Sequence, residues 1–87
     1  MNNTAKKLKA SGHHLKPVVI IGAQGLSKNV NNEIDAALEA HELIKIRINA
    51  PDDETRQDMI NTILETHDAT LVNQLGHVAV VYRKREE

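Results

Sequence analysis

Pro17-Val18-Val19-Ile20-Ile21-Gly22-Ala23-Gln24-Gly25-Leu26-Ser27 reads as a strand, a loop with a glycine at each end, and a helix start capped by a serine. Pro17 can open the strand, where its missing N–H matters least. Val18, Val19, Ile20 and Ile21 are apolar at every position, the pattern of a strand covered on both faces. Ser27 is a good N-cap, because its hydroxyl can accept from a helix N–H that has no partner within the helix. Such a junction presents unpaired N–H groups and the positive end of a helix dipole. Glycines at both ends remove the Cβ atoms that would keep a ligand's backbone away. The candidate anion site is therefore Gly22, Ala23, Gln24 and Gly25, with Lys16 before it and Lys28 after it.

Upstream, Thr4 can cap a short helix over 5–10, stopped by Ser11-Gly12. Its apolar side is only Ala5 and Leu8, so it needs something to dock on, and the two-sided strand is the natural surface. Lys6, Lys7 and Lys9 cover the rest. Each by itself reads as part of a solvated face; together, if the helix packs near the loop, they extend the cationic site, to which Lys6 and Lys9 are assigned. Downstream of Ser27, a helix over 28 to about 41 places Val30, Ile34 and Leu38 in one stripe. Asn29, Asn31, Asn32, Glu33, Asp35 and Glu39 then face water. Ile44, Ile46 and Ile48 alternate with Lys45, Arg47 and Asn49, the pattern of a strand with one buried face. Lys45 and Arg47 have the acids of the preceding helix as possible partners and are left out of the site. Pro51-Asp52-Asp53 starts a third helix with Met59, Ile60, Ile63 and Leu64 inward. The stretches 70–75 and 78–83 are strands joined at Gly76-His77, a hairpin. The order α-β-α-β-α-β-β predicts an α/β fold with a four-stranded mixed sheet and three packed helices.

The 87 residues fit one domain, which at this size buries only about 60–65% of its unfolded surface. The apolar content is 40% and almost wholly aliphatic, with no Phe or Trp and Tyr82 alone as an aromatic. Tyr82 is expected to fill one end of the core. No cysteine is present, which excludes disulfides and thiolate metal sites and fits a reducing cytoplasm. No apolar run approaches the length of a membrane span. The net charge of −1 hides an asymmetry. Residues 1–32 hold Lys6, Lys7, Lys9, Lys16 and Lys28 with no acid. Residues 33–68 hold ten acids against Lys45, Arg47 and Arg56. One end is thus predicted to be cationic and the other anionic.

Three ordered motifs resemble a known family. His14-Leu15-Lys16-Pro17-Val18-Val19 with Ile21-Gly22-Ala23-Gln24-Gly25-Leu26 resembles the opening of the CRM domain, named for chloroplast RNA splicing and ribosome maturation. His41-Glu42-Leu43-Ile44-Lys45-Ile46 is similar to its second signature, and Leu71-Val72-Asn73-Gln74-Leu75-Gly76 with Val81-Tyr82-Arg83 to its third. The resemblance covers about residues 5 to 83 and, at this length, is to the YhbY-type bacterial proteins. It implies a fold like the C-terminal domain of bacterial translation initiation factor three. It also implies RNA binding through the GxxG loop and adjacent basic surface, and a role in large-subunit ribosome assembly. The loop interior Ala23-Gln24 is neutral where many members carry a basic residue, which implies modest affinity from the loop alone.

The residues also limit what else the chain does. Single-strand readers that stack bases on aromatic rings need more than Tyr82, so affinity is expected to come from phosphates, with little base readout. His13-His14 cannot both face one ion from a regular element, and His41-Glu42 lacks the second histidine of a zinc helix. No metal, cofactor or catalytic residue is assigned, and no Walker lysine follows the glycines. The expectation is a non-catalytic, cytoplasmic, monomeric RNA-binding protein acting on ribosomal RNA or precursor large subunits. The alternative is a protein-interaction module docking a basic ribosomal protein through its acidic half.

Overall fold

A computed structural model describes residues 19–22 and 24–85. Strand β1 (Val19–Ile21) leads through the glycine loop into helix α1 (Lys28–His41). Strand β2 (Leu43–Ile48), helix α2 (Asp53–His67), and the hairpin β3 (Thr70–Leu75) and β4 (Val78–Tyr82) follow. The sheet order is β1-β2-β4-β3. β1 lies parallel to β2, whereas β4 runs antiparallel to both β2 and β3. The described residues thus form an α/β fold with a four-stranded mixed sheet and two helices. The helix expected over 5–10 lies outside the described residues.

One face of the sheet and the apolar stripes of both helices make the core. Val19, Ile21, Ile44, Ile46, Ile48, Ala79 and Val81 meet Ile34, Leu38, Ile60 and Ile63, all buried. Met59 and Leu64 pack on this cluster from its margin. The other sheet face departs from expectation. Ile20 is 60% exposed, so the all-apolar run of β1 does not have both of its faces buried. Tyr82 sits opposite Leu43 and Thr70 in the registers. It alternates with the core-facing Val81 and is only half-buried, so it does not fill the core end. Lys45 and Arg47 share this outer face and pair with none of the acids of α1. Those acids go elsewhere: Arg83 Nη1 donates to Asp35 at 3.0 Å and Arg83 Nη2 to Glu39 at 3.1 Å. Arg85 approaches Glu42 at 3.7 Å.

This tail clasp secures a strained residue. Glu42 has φ 63° and ψ −46°, a backbone conformation that a residue with a Cβ occupies only when its surroundings impose it. Its N–H donates to Leu38 O at 2.8 Å, its carbonyl accepts from Arg83 N at 2.9 Å, and its carboxylate accepts from Arg85 N at 2.9 Å. Nearby, Asn31 does not face water as expected. It is half-buried and accepts from His67 Nε2 at 3.0 Å.

His67 ends α2, 7% exposed, and burial holds its pKa below 6.5, with Arg83 adding to the depression and Asp35 opposing it. Its neighbours Glu39, Asp68 and Lys84 line the same recess. A depressed folded-state pKa means the unfolded chain binds the proton more tightly. Stability is therefore complete above pH 6.5 and falls as the pH drops from there through the folded value. Thermal melts between pH 7.5 and 5.5 are expected to show this loss. His67→Gln, which keeps a donor for Asn31, is expected to flatten the slope. An unchanged slope in His67→Gln would remove His67 as its source.

Candidate nucleic-acid interface

Three loops meet at one end of the sheet, where the parallel strands β1 and β2 finish. In open α/β sheets, ligands bind outside the carboxyl ends of such strands. The loop after β1 is the GxxG segment, and the loop after β2 runs from Asn49 to the start of α2. The β3–β4 turn arrives at the same end because β4 is antiparallel to β2. Backbone bonds tie the loops together. Asn49 N–H donates to Ile21 O at 3.0 Å, and Ile48 N–H donates to His77 O at 2.7 Å.

The GxxG loop is a tight turn closed by Gly25 N–H to Gly22 O at 3.0 Å, followed by Ser27 N–H to Gly25 O at 3.0 Å. Gly25 has φ +70°, the left-handed region that a Cβ disfavours. Gly22 is exposed, and a Cβ added to it would meet nothing within 4 Å. Its hydrogen therefore faces open space, leaving a bare stretch of main chain.

Ser27 is the N-cap of α1, as its type predicted. Its hydroxyl accepts from Val30 N–H at 3.2 Å and its carbonyl from Asn31 N–H at 3.0 Å. The Asn31 bond is the first of the helix ladder. Of the four donors that a helix start leaves over, Val30 N–H is met by this hydroxyl and Ser27 N–H by Gly25 O, and among the described residues the N–H groups of Lys28 and Asn29 are left to water or a ligand. The two helices differ at their beginnings. α2 has Asp53 and Glu54 in its first turn, whereas α1 has no acid there and carries the exposed Lys28. Acids at a helix start complement the dipole, and a lysine opposes it by a few tenths of a kcal/mol. A bound anion would reverse that sign.

Of the residues expected to form the site, Gly22, Gln24, Gly25 and Lys28 lie together on this loop and the first turn of α1, with Gln24 exposed. Ala23, Lys6, Lys9 and Lys16 lie outside the described residues. Sequence reasoning missed the neighbours that the topology adds. A depression of about 470 Å³ beside the loop is lined by Gly22, Asn49, Ala50, Pro51, Met59 and His77. Beneath His77 lies Arg56, 8% exposed. Its guanidinium pairs with Asp53 at 2.6 Å and with His77 Nδ1 at 3.1 Å. No local pattern marked these residues, because they come from two other loops and a helix interior.

A small α/β sheet with a bare glycine turn at its parallel-strand end is a frame on which a ligand can be bound. The CRS1/YhbY (CRM) domain model matches residues 1–83, and the chain belongs to that family, which is non-catalytic. An RNA-binding protein of Haemophilus influenzae is 46% identical over 80 residues, covering 92% of this chain and 81% of that one. A probable RNA-binding protein of Pseudomonas aeruginosa is 38% identical over 79 residues, covering 91% and 76%. The solution structure of a Staphylococcus aureus protein matches with TM-score 0.83 at 29% identity, covering 95% of this chain and 86% of that one. No helix among the described residues is long and apolar enough to cross a membrane.

Proposed function

We propose that this chain binds RNA and acts, without chemistry or cofactor, on ribosomal RNA or precursor large ribosomal subunits during assembly. The 22–25 loop holds backbone phosphate, Lys28 supplies charge at the helix start, and Lys16, Lys6 and Lys9 extend the cationic surface. The working unit is a cytoplasmic monomer. One observation carries the reading: an exposed Gly22 with open space at its Cβ position adjoins a helix start that has a lysine and no acid. The RNA-binding names of the relatives agree with it. The anionic half is a weaker candidate for a partner surface, since Asp35, Glu39 and Glu42 are already engaged by Arg83 and Arg85.

Binding of this kind displaces counterions. If about four phosphates are neutralised on a single strand, log K is expected to fall against log salt with a slope of about −3. Filter binding of ribosomal RNA fragments across a salt series measures it. Affinity independent of salt would exclude phosphate as the main contact. Lys28→Gln is expected to weaken all RNAs alike and to flatten the slope by about 0.7.

A further inference from the structure

We infer that the depression beside Gly22 is a nucleobase subsite, taking one unstacked base of the RNA whose backbone the loop holds. The inference rests on the RNA reading of that loop and adds to it a contact with a base.

Continuity is the first argument. Gly22 belongs both to the hook and to the wall of the depression, which is about 470 Å³ in volume, within the range of small-ligand pockets. Met59 joins the two as well. It lines the depression, and its Cε lies 3.4 Å from where a Gly25 Cβ would stand. A nucleotide with its phosphate at the hook has this space next to it.

The lining supplies the second argument. Ala50, Pro51 and Met59 form an apolar surface, with Asn49 and His77 as polar members. A thioether is polarizable and packs well against aromatic rings. It can therefore serve a base in a chain that has no Phe or Trp. The Asn49 side chain presents both donor and acceptor groups, and its only hydrogen bond among the described residues is a long one, from Arg47 Nε to its Oδ1 at 3.4 Å.

Arg56 is the third. A guanidinium has donors and no acceptor, so at 3.1 Å His77 Nδ1 must accept from Arg56 Nη2. The ring proton then sits on Nε2, which becomes a donor of fixed identity on an exposed residue. Arg56 holds this arrangement at a cost, because its Nε is buried with no partner among the described residues. A buried unsatisfied donor is destabilising, and packing alone would favour an aliphatic side chain there. What the arginine provides is an oriented imidazole at the rim of the depression.

Methyl NMR tests the subsite directly, since the chain has only two methionines. With methyl-labelled protein and a saturating single-stranded ribo-octamer, the Met59 resonance is expected to move upfield through the ring current of the base. An octamer of identical backbone lacking all its bases is expected to leave it in place. Asn49→Ala and His77→Ala, with native circular dichroism, are each expected to weaken the base-bearing octamer about fivefold and the baseless one not at all. Asn49→Ala keeps the test valid should His77→Ala disturb Arg56. Equal affinity for the two octamers, or saturation with the Met59 methyl unmoved, overturns the subsite and leaves the phosphate hook standing. Failure of both octamers to bind at low salt overturns the hook and the subsite together.

Discussion

Gly22→Asp is expected to weaken RNA binding by about tenfold or more while the protein stays folded. Both halves of that expectation come from one geometry. Gly22 does not have a positive φ, and its added Cβ would meet nothing within 4 Å, so the substitution costs the fold little. The new carboxylate would stand where a phosphate is proposed to approach, and opposing like charges across an interface costs several kcal/mol. Gly25→Asp is the less clean variant. Its φ of +70° adds backbone strain to any loss of binding. Fluorescence anisotropy with a labelled RNA, beside a thermal melt, separates the effects. Full affinity in a folded Gly22→Asp protein would place the RNA elsewhere on the molecule.

The largest effect on stability is expected at Ile46. It is fully buried in β2, the strand between β1 and β4, opposite Val19 and Ala79 in the two registers. Ile46→Ala removes apolar contacts and leaves a cavity that a central strand cannot collapse to fill, a loss of about 2–5 kcal/mol. A domain of this size has about 4–13 kcal/mol in total. The melting temperature is therefore expected to fall by about 10 °C or more. Ile20→Ala is the matched comparison: the same residue change one strand over, at a position 60% exposed, with an expected cost below about 1 kcal/mol. Equal losses at the two positions would show that the outer face is as tightly packed as the core.

Local patterns were enough for most elements. The Ile44, Ile46, Ile48 alternation gave β2 its buried face, Ser27 and Asp52 marked the starts of α1 and α2, and Gly76-His77 marked the hairpin turn. Each of these rests on a few adjacent residues and a bond or period that does not depend on distant chain. The glycine turn and the helix start after it were legible for the same reason, since Gly22, Gln24, Gly25 and Lys28 are neighbours in sequence. Reading failed where distant segments meet. An apolar run cannot reveal which face is covered, so Ile20 was misassigned. Charge counted by segment could not show Arg83 returning to the acids of α1 and Arg85 to Glu42 at its C-cap.

The chain's own order of residues thus set the strands, the helix caps and the bare glycine turn, because short-range hydrogen bonding and side-chain periodicity decide those. Which loops gather around that turn was left to the folded sheet. Parallel pairing of β1 with β2, and antiparallel pairing of β2 with β4, carry Asn49 and His77 to Gly22 and set Arg56 beneath them. Strand direction and register are long-range choices made by burial of the whole core, and no window of sequence contains them.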